Sequence, residues 1–161
     1  VAECNRLGIL VDLAHATEAT VNDALAVSKR PMIWSHSGVT KTDKPQWNQV
    51  AWRARQLTLP AAKAIAAKGG VVGLWALKQD VGDSPAAYGD KLNSMADLIG
   101  ENHAAIGTDM NGLGKHGVLN NYADVARVIQ HWQERKLPPA RLQKLAIGNF
   151  ARVLKEALRP V

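Results

Sequence analysis

The sequence predicts an α/β fold, in which strand and helix alternate four times along the chain. Apolar runs such as "ILVDLAH" and "VVGLWAL" are short, nearly continuous and rich in branched residues, which is typical of parallel strands covered on both faces. No Gly-x-Gly-x-x-Gly motif follows a strand, so a dinucleotide-binding fold is not supported. A (β/α) barrel is the better interpretation. Because a complete barrel takes about 250 residues and eight strands, the 161-residue chain corresponds to half of one.

Composition agrees with a globular protein of about one ordinary domain, with 47% hydrophobic residues and a net charge of +6. No stretch approaches the ~20 apolar residues of a membrane helix, and the first residues lack the layout of a signal peptide. Lysine and arginine are scattered without a run or a glycine-rich basic motif, which argues against nucleic acid as a partner. The single Cys4 excludes an internal disulfide and leaves a cytoplasmic and an exported protein equally open.

The first half of the chain contains two predicted strands. Residues 1 to 7 read as the end of a helix that stops near Gly8, and "ILVDLAH" follows as the first strand. Thr17 and Glu18 begin a helix, and "MIWSH" is the second strand. Residues 37 to 56 are polar and aromatic without clear periodicity. One side of the helix that begins at Thr17 and Glu18 carries Val21, Ala24, Leu25 and Ser28.

The second half contains the other two predicted strands. Thr58 is placed to cap the helix "LPAAKAIAAKGG", after which "VVGLWAL" is the third strand. The next helix ends at Gly100, and "HAAIG" is the fourth strand, followed by a loop over residues 110 to 120. Two more helices are predicted. The faces of the last three helices carry Leu92, Met95, Ala96 and Ile99, then Tyr122, Val125, Ile129 and Trp132, then Leu145, Val153 and Leu158.

Three polar residues stand where predicted strands end: His15 after the first, His36 after the second and Asp109 after the fourth. In a (β/α) barrel these ends meet at one mouth. Two neutral imidazoles and a carboxylate there predict a divalent metal site, with zinc the favoured ion and coordination positions open for water. One strand-end histidine is more often a hydrogen-bonding residue and Asp109 alone could cap its loop, so the prediction depends on all three occurring together.

Four stretches, "GILVDLAH", "SHS", "RQLTLPAAKAIAAKGGVVG" and "AIGTDMNG", resemble the C-terminal half of the membrane dipeptidase (renal dipeptidase) family of zinc hydrolases in the amidohydrolase superfamily. The resemblance runs from about residue 3 to residue 155. It implies a binuclear zinc barrel that hydrolyses dipeptides with a metal-activated water, and a homodimer as a plausible assembly. By resemblance, His15 and His36 hold the second zinc, Asp109 is the base and proton shuttle, and Arg55 binds the terminal carboxylate of the substrate.

Several other residues have plainer interpretations. Arg55 lies beside Arg53 in a basic segment, so the sequence alone indicates a solvated arginine. Only the family resemblance favours a substrate-binding role instead. Asp12 is expected to make a buried hydrogen bond near the sheet rather than to touch metal. Trp47 and Trp52 could line a side-chain pocket or simply pack in their loop.

The resemblance also shows what the chain lacks. In the family a His-x-Asp pair holds the first zinc, a glutamate bridges both metals and a further histidine binds substrate, and none of these is found here. Residues 1–161 are therefore predicted to be the C-terminal half of the barrel, completed by an N-terminal half from the same longer polypeptide or from a partner chain. Met110 and Asn111 stand where the family usually has Phe and Asp, which leaves substrate preference open.

Two rival functions remain compatible with the sequence. The same strand-end ligands could serve another amidohydrolase-type enzyme, such as an esterase, a lactonase or a deaminase. Alternatively, the barrel could be catalytically inactive and act as a binding or assembly module.

Overall fold

The computed structural model of the protein describes residues 1–40 and 55–159. Its strands are β1 (Ile33–Ser37), β2 (Val39–Thr40), β3 (Leu57–Thr58), β4 (Val71–Leu74) and β5 (Ala104–Ile106). Its helices are α1 (Ala2–Leu7), α2 (Glu18–Val27), α3 (Leu59–Ala67), α4 (Lys78–Val81), α5 (Pro85–Ile99), α6 (Met110–Leu113), α7 (Tyr122–Glu134), α8 (Pro139–Gln143) and α9 (Asn149–Ala157). A 3-10 turn (Gly114–His116) follows α6, and a π turn (Lys144–Gly148) joins α8 to α9.

The central sheet is parallel and keeps the order of the chain. Strands β1, β4 and β5 lie side by side, and β2 and β3 form a small second parallel pair. Residues 11–13 run parallel to β1 on its other side, where Ile33 N donates to Val11 O at 3.0 Å and Leu13 N to Ile33 O at 2.8 Å. The four predicted strands are therefore neighbours in one parallel layer. The first is shorter than predicted, because the backbone turns after Leu13.

The two faces of the sheet bury different sets of side chains, as the alternation of a strand requires. One face packs against the helices through Trp34, Val72, Leu74 and Ala104. The other carries Ile33, Val71 and Ala105 and is covered by Phe150 and Val153 of α9. Helix α9 is fixed by Asn149 Nδ2, which donates to Ala104 O at 2.8 Å, and by Arg152, which donates to Gly69 O at 2.9 Å. It thus closes the amino ends of the strands, opposite the predicted mouth.

Most predicted helix boundaries are confirmed. The hydroxyl of Thr17 accepts a hydrogen bond from Thr20 N, and that of Thr58 accepts one from Ala61 N, so both threonines cap their helices. Helix α5 ends at Gly100, whose φ of 97° is a conformation that residues with a side chain rarely adopt. Among the described residues, no helix has the length and apolar character that crossing a membrane requires.

Three details of the prediction are wrong. Tyr122 is 87% exposed, because α7 turns Asp124 inward, where its carboxylate accepts from Asn120 N at 2.9 Å. Within the predicted loop over residues 110 to 120, Met110–Leu113 form α6 and Gly114–His116 form a 3-10 turn. The last predicted helix is two helices joined by the π turn, and Leu158 is 57% exposed at its end.

Tyr88 of α5 carries a prediction about stability. Its hydroxyl is buried and donates to Leu74 O at 2.6 Å, and burial raises the pKa of the phenol. We expect Tyr88→Phe to lower the free energy of unfolding by about 1 kcal/mol in urea denaturation, because a buried hydrogen bond is lost. Since the folded state holds the phenol proton more tightly, wild-type stability should fall as the pH rises above about 10, and Tyr88→Phe should remove this fall. Tyr122→Phe, at an exposed position, is the control, and equal effects of both changes would contradict the assignment.

Candidate metal centre

The first predicted ligand, His15, lies on a tight turn at the end of the first extended segment. Ala16 N donates to Leu13 O at 3.0 Å, and His15 has a φ of 66°. A non-glycine residue in this left-handed region is uncommon, and such residues cluster at functional sites. The turn places the imidazole beside the end of β1.

The second predicted ligand, His36, lies on an irregularity of β1. Trp34 pairs with Val72 but Ser37 pairs with Leu74, so β1 contains one more residue than β4 between these pairs. Trp34 and Ser37 are both buried, whereas the two residues between them are only half-buried. An extra residue of this kind redirects a side chain locally, and here it leaves His36 free to face His15.

The structure brings three of the predicted site residues together. His15 Nε2 and His36 Nε2 are 2.9 Å apart, and their ring planes meet at 62° with centroids separated by 4.8 Å. Asp109 Oδ2 lies 3.9 Å from His36 Nε2. The roles of these residues stay predictions, but the convergence on which those roles depend is present.

The backbone carbonyl of Asp109, rather than its carboxylate, accepts the first hydrogen bonds of α6. Gly112 N and Leu113 N donate to Asp109 O at 3.0 and 3.1 Å, and the carboxylate makes no capping hydrogen bond. A Cβ on Gly112 would lie 2.2 Å from Asp109 Oδ1, so the carboxylate packs over a position that only glycine can provide. With a φ of 52°, Asp109 is also left-handed. Its side chain therefore stays free for chemistry at the mouth.

Arg55 approaches the same centre from the segment before β3. One terminal guanidinium nitrogen lies 3.3 Å from His15 Nδ1. The segment is anchored by the buried Ser37, whose hydroxyl accepts from Leu57 N at 3.0 Å and donates to Gly38 O at 2.7 Å. An open cleft of about 500 Å³ adjoins His15 and Arg55. Trp47 and Trp52, predicted as possible pocket residues, lie outside the described residues.

These side chains form one continuous chain of hydrogen bonds. An arginine can only donate, so His15 Nδ1 accepts from Arg55 and the proton of a neutral His15 lies on Nε2. That proton is donated to His36 Nε2, and His36 Nδ1–H then donates to Ser35 Oγ at 2.8 Å. Coordination of a metal through both Nε2 atoms would move the His15 proton to Nδ1. Arg55 would then lose its acceptor and become available to bind an anion.

The geometry of the two histidines fits a shared zinc ion. Two ligands of a tetrahedral zinc, each about 2.0–2.1 Å from it, are about 3.3 Å apart. The observed 2.9 Å separation reaches this value with small ring rotations. Within residues 1–40 and 55–159, no group of three or more His, Cys, Asp or Glu side chains is arranged to hold a metal. The described residues thus offer two ligands and a neighbouring carboxylate.

Two supporting aspartates were not predicted in these roles. Asp12 was expected to make a buried hydrogen bond; it accepts from Ala14 N and Ser35 N, both at 3.0 Å, but is exposed. Asp80 accepts from Trp75 Nε1 at 2.8 Å, and its Oδ2 packs so closely on Gly38 that a Cβ there would lie 1.9 Å away. Both aspartates connect segments that are distant in sequence, and no local motif predicts such contacts.

Comparison with known proteins assigns the family. The sequence profile of the membrane dipeptidase family (Peptidase family M19) matches residues 1–159. The chain belongs to this family. The resemblance inferred from its motifs is thereby confirmed. The dipeptidase ataJ of Aspergillus terreus is 28% identical over 158 residues, which are 92% of this chain and 36% of that protein. The dipeptidase verJ of Clonostachys rogersoniana is 32% identical over 117 residues, 70% of this chain and 28% of that protein.

Solved structures confirm the fold class. The metallopeptidase dipeptidase AC of family M19 superimposes with a TM-score of 0.78 at 23% identity, covering 98% of this chain and 47% of that one. A metallopeptidase from Rhodobacter sphaeroides, liganded with a phosphinate mimic of the dipeptide L-Ala-D-Ala, superimposes with a TM-score of 0.76 at 23% identity. The match covers 97% of this chain and 44% of that one. These M19 proteins are TIM barrels, of which the chain spans about half. It spans about a third of its curated relatives.

Proposed function

We propose that the protein carrying this chain is a zinc-dependent dipeptidase, in which His15 and His36 hold one of two zinc ions. The observation that supports this most strongly is the convergence of the two Nε2 atoms at 2.9 Å, with the Asp109 carboxylate beside them. Membership of family M19, with relatives named dipeptidases and metallopeptidases, supports a metal-dependent hydrolysis of dipeptides. Zinc is proposed as the metal because imidazole and carboxylate donors suit it.

Each residue of the centre has a task that its chemistry suits. A bound zinc would lower the pKa of a coordinated water to about 7 and would polarise the scissile carbonyl. Asp109 Oδ2 accepts the proton of the attacking water and delivers it to the leaving amine. Arg55, once released by His15, donates paired hydrogen bonds to the terminal carboxylate of the dipeptide. In this proposal, metal binding by His15 also frees Arg55 to bind the substrate.

Residues 1–161 form, in this proposal, the C-terminal half of the barrel. Within the described residues, β5 and the segment 11–13 pair with the sheet on one side only. Exposed sheet edges of this kind invite pairing with another strand. An N-terminal half, from the same polypeptide or a partner chain, would cover both edges and supply the His-x-Asp pair and the bridging glutamate. Dimerisation of the completed barrel is proposed from the family resemblance.

The role of Arg55 gives the test of substrate class. In the full-length protein, Arg55→Ala should lower kcat/KM for a dipeptide by about 10- to 100-fold, because a hydrogen-bonded contact with a charged group contributes about 1.5–3 kcal/mol. The kcat/KM of Arg55→Lys should lie between those of wild type and Arg55→Ala, since lysine keeps the charge without the planar pair of donors. The measurement compares a dipeptide with its C-terminal amide, which wild type and Arg55→Ala should hydrolyse equally poorly.

The exposed Arg135 at the end of α7 offers the matched control. Arg135→Ala should leave both substrates unaffected. Efficient hydrolysis of an ester or a lactone, or deamination, with no dependence on Arg55 would contradict the dipeptidase proposal and favour another amidohydrolase activity.

A further inference from the structure

The backbone pairing between the segment 11–13 and β1 breaks off next to the metal centre. The pairing begins as a regular parallel ladder, with Ile33 N bonded to Val11 O and Leu13 N bonded to Ile33 O. In a continuing ladder the next bond would run from Ser35 N to Leu13 O. That carbonyl instead accepts from Ala16 N at 3.0 Å, in the turn that presents His15. Because of the turn, Leu13 O is no longer available as the backbone acceptor for Ser35 N.

The carboxylate of Asp12 replaces this acceptor. Its Oδ1 accepts from Ser35 N at 3.0 Å and also from Ala14 N at 3.0 Å. These two amides immediately precede His36 and His15 in the chain. A single oxygen atom thus ties together the backbones of the two segments that carry the histidines, while Ser35 Oγ holds the His36 ring through Nδ1.

We propose that Asp12 is a positioning residue that fixes the separation of His15 and His36, acting through the backbone and without touching the metal. The inference rests on the proposed function as far as metal binding is concerned. Without the side-chain acceptor, the Ser35 and Ala14 amides lose their partner, and the left-handed turn at His15 loses the link to β1 that lies next to the two histidines. Mutating a group that orients a metal ligand typically lowers the metal affinity by about 10- to 100-fold.

The experiment compares Asp12→Ala with Asp12→Asn in the full-length protein. Asparagine keeps a side-chain oxygen in the same position, whereas alanine removes it. In metal-free crystals, Asp12→Ala should separate the two Nε2 atoms well beyond 2.9 Å, and Asp12→Asn should preserve the distance. Zinc affinity, measured by competition with a chelator, should fall about 10- to 100-fold in Asp12→Ala only. Asp23→Ala, at an exposed position of α2, is the control.

The outcomes separate this inference from the proposed function. If Asp12→Asn loses as much zinc affinity as Asp12→Ala, the charge acts on the metal and the positioning role is wrong. An unchanged separation of the histidines in Asp12→Ala also overturns it. If Asp12→Ala does not fold, hydrogen exchange decides: the Ser35 amide must be protected in both wild type and Asp12→Asn, and rapid exchange in either refutes the proposal. Wild type that binds no zinc would refute the proposed function, while the histidine separation and amide exchange would still test Asp12.

Discussion

Replacing His36 with alanine is expected to remove zinc from the centre and to lower kcat/KM for dipeptides by about a thousandfold or more. The reason is that one of the two imidazoles converging at 2.9 Å is lost, and the centre without it should hold the ion much more weakly. A bound metal contributes several kcal/mol to the stabilisation of the transition state, and each 1.36 kcal/mol corresponds to a factor of ten in rate. His15→Ala should give the same result.

The measurement combines metal content per full-length protein with dipeptide hydrolysis and thermal unfolding. His116→Ala is the matched control, because His116 lies exposed on the 3-10 turn near the mouth. It should leave metal content and activity unchanged. If His36→Ala alters only the unfolding temperature, and wild type carries no zinc, the barrel is a catalytically inactive binding module rather than an enzyme.

Asp109→Asn is expected to lower kcat by about 10²- to 10⁴-fold while the metal stays bound, because general acid–base catalysis contributes about this factor. Asparagine has nearly the same shape, so the contact over Gly112 is kept, but it cannot accept the proton of the attacking water. Asp109 Oδ2 lies 3.9 Å from His36 Nε2, and in this proposal it handles the proton rather than binding the substrate. KM should therefore change much less than kcat.

This prediction is checked by measuring kcat, KM and zinc content of the same preparations. Asp23→Asn, on the exposed side of α2, should behave as wild type. Loss of zinc from Asp109→Asn in parallel with activity would show that Asp109 is a metal ligand, and the assignment of a proton-transfer role would then be wrong.

The course of the chain was predictable because its signals are local. Buried parallel strands form short apolar runs, and Thr17 and Thr58 cap helices through amides only three residues away. The last helix divides next to Asn149, which is buried and bonds to Ala104 O 45 residues away, and a contact over that distance leaves no local sequence signal. The inward turn of Asp124 similarly follows from its own hydrogen bonds rather than from apolar periodicity.

The candidate centre was predictable only in part. Parallel strands end at the same edge of a sheet, so His15, His36 and Asp109 could be placed together from their positions alone. The irregularity of β1 that directs His36 is a matter of register against β4, which one sequence does not reveal. The Asp12 oxygen that joins the two histidine segments likewise depends on a contact over 23 residues.

The most direct test of the metal centre is a crystal structure of the full-length protein with zinc, in which anomalous scattering locates the ions. We predict one zinc with His15 Nε2 and His36 Nε2 both about 2.0–2.1 Å away, and with Arg55 no longer bonded to His15. A zinc coordinated by neither histidine, or by only one of them, would contradict the account.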